Sequence, residues 1–183
     1  RDLAHRARLM DPLSPGFLVR EADLLFHARR WGEAATLYEK AIRDAPQDGG
    51  AYFGLAETRR AEGRFDEAIE CRRLAHAHAG DDALAETLAT ARGSDGYRRI
   101  ELMTARFHLA ALEARAAGGG YASPLDYARA HSVLGARTQA LAYLDAAFAD
   151  RSPGLVFLNV DPAWDSIRGD ATFDAAVRRV GLP

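Results

Sequence analysis

The sequence predicts an all-α fold, a superhelical array of antiparallel helix pairs closed by a C-terminal helical cap. Three observations carry this expectation. Residues 29–48, RRWGEAATLYEKAIRDAPQD, align without gaps on residues 63–82, GRFDEAIECRRLAHAHAGDD, at an offset of 34. Apolar residues recur at helical spacing within a copy, as in Ala34, Tyr38 and Ala41. The helix-ending residues Pro46 and Gly80 fall at the same register.

The first element, residues 2–10, reads as the tail of a truncated copy, because stepping one repeat back from Ala41 and Pro46 lands on Ala7 and Pro12. Helices over 17–29 and 31–45 form one pair, and helices over 50–61 and 65–78 the next. Ala34 and Ala68 sit where paired helices cross, since small residues let the backbones approach, and Trp31 and Phe65 plug the space beside each crossing. Gly63 ends its helix in a left-handed turn, which glycine adopts without steric cost, and Gly135 repeats the device. Helices over 81–92 and 97–117 belong to a degenerate copy with a small insertion. The last copy, residues 123–153, matches residues 51–82 at an offset of 72: Gly135 answers Gly63, Gln139 answers Glu67, Ala140 answers Ala68 and Ala147 answers Ala75. Its helices span 124–134, opened by Ser123 as N-cap and Pro124 in the first turn, and 137–150, with Ala140, Leu144 and Ala147 as the buried stripe.

After Pro153 the pattern changes. The apolar run GLVFLNV, residues 154–160, has no partner strand in the sequence and reads as a buried connector. Asp161 and Pro162 open a short helix to Arg168, and Asp170 caps a last helix with Phe173, Ala176, Val177 and Val180 on one face. The expected segments are therefore 1–14 (truncated tail), 15–48, 49–82, 83–120 (degenerate), 121–153, and 154–183 (connector and cap). Each pair exposes an apolar face that only its neighbour covers, so stability comes from stacking.

Ala51, Leu55, Ala56, Gly63, Phe65, Glu67 and Ala68 make the pattern A-x3-L-A-x6-G-x-F-x-E-A, which resembles the tetratricopeptide repeat. The resemblance covers residues 1–153 and implies a right-handed superhelix that binds a protein or peptide partner in its concave groove. Glu21, Arg59 and Arg72 depart from it, standing where the repeat carries apolar residues, so those copies are expected to pack loosely or differently. The tail, with Asp161, Pro162, Trp164, Asp165, Arg168, Asp170, Phe173, Arg179, Gly181, Leu182 and Pro183, resembles the C-terminal repeat region of bacterial multidomain regulators. In that group the repeats follow a winged-helix, adenylate-cyclase or serine/threonine kinase domain, which implies a role in transcription or signalling. The chain opens at Arg1, inside a predicted helix and without an initiator methionine, and reads as a fragment of a longer protein.

The resemblance and the helical period place Val19, Asp23, Phe26 and His27 in the groove from one copy, and Phe53, Gly54, Glu57 and Arg60 from the next. Some family members clamp a terminal carboxylate with lysine, arginine and asparagine. Val19, Asp23 and Gly54 occupy likely clamp positions here, so chaperone C-termini are not the expected ligand, and Asp23, Glu57 and Arg60 favour a mixed or basic one.

Catalytic, metal and cofactor chemistry find no footing in the residues. Six histidines form no H-E-x-x-H or Cys/His array. Gly118, Gly119 and Gly120 lack the lysine and hydroxyl of a phosphate loop, and Cys71 lies mid-helix without a base. A formal net charge of −2 gives no field to recruit nucleic acid or anionic membrane, and acidic neighbours dilute the twin arginines. No run reaches the roughly 18 apolar residues of a membrane helix, and one cysteine suits a reducing compartment, so a cytoplasmic location is expected. The sequence thus predicts a non-catalytic protein-interaction module. Self-association as a homodimer, through residues 2–10 or 154–183, is the alternative, and a small-ligand sensor with a pocket beside the helix over 97–117 is a third.

Overall fold

The computed structural model describes residues 15–181, so the truncated tail expected over 1–14, with its helix over 2–10, and the terminal Leu182 and Pro183 lie outside the described residues. Nine α-helices and two 3-10 helices, with no strand, make up the described chain. Helix α1 spans Pro15–His27, α2 Trp31–Asp44, α3 Gly49–Ala61, α4 Phe65–His78, α5 Asp82–Ala89, α6 Gly93–Ala117, α7 Pro124–Val133 and α8 Arg137–Ala149. The 3-10 helices Pro153–Phe157 and Pro162–Ile167 follow, and α9 covers Ala171–Val180. Consecutive helices pack as pairs: α1 on α2, α3 on α4, α7 on α8. This is the all-α paired array that the repeat period predicts.

The residues chosen for the crossings do what their size requires. Ala34, Ala41, Ala68, Ala75, Ala140 and Ala147 all have 0% exposure, which is how a methyl group at a close helix crossing behaves. Gly63 and Gly135 take φ values of 77° and 75°, the left-handed ends expected of them. Ser123 and Asp170 cap α7 and α9, Asp170 accepting from the backbone N–H groups of Thr172 and Phe173.

The chain divides into two compact units between Ile100 and Glu101. In the first, Leu18, Ala22, Tyr38 and Leu55 are among the buried residues between α1, α2 and α3. In the second, Leu125, Leu144, Leu158, Trp164, Ile167 and Phe173 form one core, with Ala176, Val177 and Val180 packed against it. The connector behaves as expected at Leu155 and Leu158, which are buried, but Val156 and Phe157 are exposed because a 3-10 helix has room for only one face against the core.

Candidate functional site

The expected binding residues come from α1 and α3, which touch each other. Position 23 on α1 and position 57 on α3 are one repeat apart, and the structure gives both the same task. Asp23 Oδ1 accepts a hydrogen bond from the Tyr38 hydroxyl at 2.5 Å, and Glu57 Oε1 accepts one from Arg72 Nη2 at 2.5 Å. Tyr38 and Arg72 are themselves one repeat apart, on α2 and α4. A carboxylate on the first helix of each pair is therefore held by a donor on the second.

Around Glu57 the arrangement grows into a cluster. Tyr97, in the first turns of α6, donates its hydroxyl to Glu57 Oε1 at 2.8 Å, and Arg60 Nε donates to Oε2 at 3.0 Å. The Arg72 guanidinium also lies 5.0 Å from the centroid of the Tyr97 ring, within cation–π range. Burial works to raise the Glu57 pKa, but the charges of Arg72 and Arg60 and the hydrogen bonds from Arg72 and Tyr97 outweigh it, holding the carboxyl below its usual range. Burial, followed by the hydrogen bond to Asp23, pushes the Tyr38 hydroxyl in the opposite direction, well above its ordinary value. Both tyrosine hydroxyls stay protonated donors, and Glu57 stays an anion.

Gly54 is part of the same design. A Cβ there would lie 2.2 Å from the Tyr38 ring, so only glycine on α3 lets that ring reach Asp23. Arg59, another departure from the repeat pattern, is 11% exposed and sits among Glu39, Glu62 at 2.8 Å and Glu67 at 3.5 Å. At Arg59 and Arg72, paired charges occupy positions where the repeat pattern carries apolar side chains.

Of the remaining expected residues, Val19 and Phe26 are half-buried and pack on the apolar core. The Phe26 ring lies edge-on to His27 at 5.4 Å. Phe53 is exposed at 39%, with His76 of α4 edge-on to it at 5.3 Å. Sequence reasoning put Asp23, Glu57, Arg60 and Phe53 on one face but missed their internal partners Tyr38, Arg72, Tyr97 and His76. The signal for two of them was available, since Tyr38 and Arg72 share a register position.

Residues 25–91 match the family model of the Tetratricopeptide repeat. With the paired all-helical architecture, this supports a tetratricopeptide repeat protein. Repeats of this kind mediate protein–protein interaction and are typically non-catalytic. Comparison with curated proteins and with solved structures gives no match. Among the described residues, no helix is long and apolar enough to cross a membrane, and no group of three or more His, Cys, Asp or Glu residues is placed to hold a metal ion. Burial raises the Cys71 thiol to about 11, away from the thiolate a nucleophile needs.

Proposed function

We propose that the α1–α3 face docks a protein or peptide partner, and that the chain is the regulatory or assembly region of a larger transcriptional or signalling protein. The observation that carries this reading is the state of the face's charges. Both Glu57 oxygens already accept hydrogen bonds, whereas Phe53 stands exposed and, among the described residues, Asp23 accepts through Oδ1. An extended segment bringing an apolar side chain to Phe53 and a basic group to the second Asp23 oxygen gains contact without breaking the cluster. A charged cluster satisfied in advance also loses little freedom on binding, so the partner meets a pre-organised surface. The regulatory role rests on the tail's likeness to the repeat regions of bacterial regulators.

The test is affinity capture from a lysate of the source organism, comparing the protein with its Phe53→Ala/Asp23→Asn variant by mass spectrometry. Asparagine keeps an acceptor for Tyr38, so the fold is preserved while the charge is lost. A protein retained by the parent and lost by the variant supports the reading. Identical captured sets would move recognition off this face.

A further inference from the structure

The second half of α6, Glu101–Ala117, belongs to the C-terminal unit and has two unlike faces. One is internal: Ala105 and Leu112 are buried at 8% and 5%, with Leu109 half-buried between them. The other carries Met103, Phe107, Ala110, Ala111 and Ala114 at helical spacing, without one charge. Phe107 is 76% exposed, the most open large apolar side chain among the described residues, and Ala110, Ala111 and Ala114 are exposed beside it. A solvated helix face in a chain with 27% charged residues would be expected to carry lysine, arginine or glutamate. This one carries a large apolar ring and three methyl groups, small enough to let another helix approach closely.

The flank of that face says what covers it. At 3.6 residues per turn, Arg106 and Glu113 fall on the same edge, seven residues apart, and both are exposed. In an antiparallel pair of identical helices each edge faces its own counterpart with the direction reversed. Arg106 of one copy then lies opposite Glu113 of the other, twice, about a two-fold axis near Ala110. A parallel pair would instead set this edge against the one bearing His108 and Arg115, so that Glu113 meets Arg115 while Arg106 meets His108. The antiparallel arrangement thus gives both charges of this edge an opposite partner, twice about the axis, as a closed two-fold interface requires.

We propose that the Met103, Phe107, Ala110, Ala111 and Ala114 face of α6 is a homodimer interface, at which a second copy of this chain packs its own α6 antiparallel. The interface uses none of the α1–α3 residues proposed to meet a partner.

Sedimentation velocity on the full chain over a concentration series tests this. A dimer is expected, with Phe107→Glu weakening its Kd by about 100-fold, as for a central aromatic contact. Arg106→Glu alone and Glu113→Arg alone each weaken it about tenfold, and the two together restore it to within about threefold. Far-UV circular dichroism of each variant matches the parent, since all three side chains are exposed. A parent that stays monomeric at its highest soluble concentration overturns the proposal. So does a dimer indifferent to Phe107→Glu, or a double swap no tighter than the single ones.

Discussion

Between α3, α4 and the start of α6, the space where a helical repeat would pack apolar side chains holds an ionic cluster: Glu57, Arg60, Arg72 and the hydroxyl of Tyr97. In the C-terminal unit, the space around α7 and α8 is filled by Trp164, Phe173, Leu144 and Leu158, each 2% exposed or less. One region is specified by directional donors and acceptors, the other by shape and apolar area. The difference sets what each tolerates. Apolar filling fails in proportion to the volume removed, while an ionic cluster fails when it is left unbalanced.

The largest expected effect lies in the apolar region. Trp164 is 1% exposed and its ring centroid lies 5.8 Å from that of Phe173. Trp164→Ala leaves a cavity lined by Phe173, Leu144 and Ile167 and should cost about 3–5 kcal/mol in urea unfolding. A loss below about 1 kcal/mol would mean the cap collapses around the hole, and that its shape is not what holds α7 and α8.

The ionic region should separate breaking a network from replacing it. Arg72→Met strands Glu57 against Arg60 and the Tyr97 hydroxyl and should cost about 2–3 kcal/mol. The triple variant Glu57→Leu/Arg72→Met/Tyr97→Phe removes the carboxylate with its two most buried donors, leaving Arg60, whose side chain is 20% exposed, to reach water, and should recover at least half of that loss in the same urea titration. Acid sharpens the contrast. The Glu57 pKa is lower folded than unfolded, so its stabilisation is complete at neutral pH and fades as pH falls below the ordinary carboxylate value of about 4.3 and through the depressed folded one. The parent's urea midpoint should fall over that window, and the triple variant's should lose this component.

The fold was legible because it rests on period. The alanines at 34, 68 and 140 and the glycines at 63 and 135 announce their roles by recurring, and the helix bounds follow from them to within a few residues. The α6 start was the poorest placed, expected at 97 and found at Gly93, because GSDG reads as a linker until Asp66 accepts a hydrogen bond from the Gly93 N–H. The site was legible only as a face. Periodicity brings Asp23, Glu57, Arg60 and Phe53 to one side of two helices, but it does not say that Glu57 is already occupied. Arg72 was visible as a departure from the repeat, and its meaning depended on Tyr97, which is 40 residues from Glu57 and carries no repeat signal.

The smallest expected effect concerns the polar link between Asp23 and Tyr38 in the first pair. Tyr38→Phe keeps the ring that fills the space over Gly54 and removes only the hydroxyl that Asp23 accepts from. Asp23 is exposed and can turn its freed oxygen to water, so the loss should be about 1 kcal/mol, less than half that of Arg72→Met at the equivalent register position. The two substitutions together measure how much of the polar ladder's worth comes from burial. Equal losses would show that Asp23 is as costly to strand as Glu57, and the first pair would then belong with the ionic region. A loss near zero for Tyr38→Phe would assign the first pair to apolar packing, leaving Glu57 and its partners as a feature of the second repeat alone.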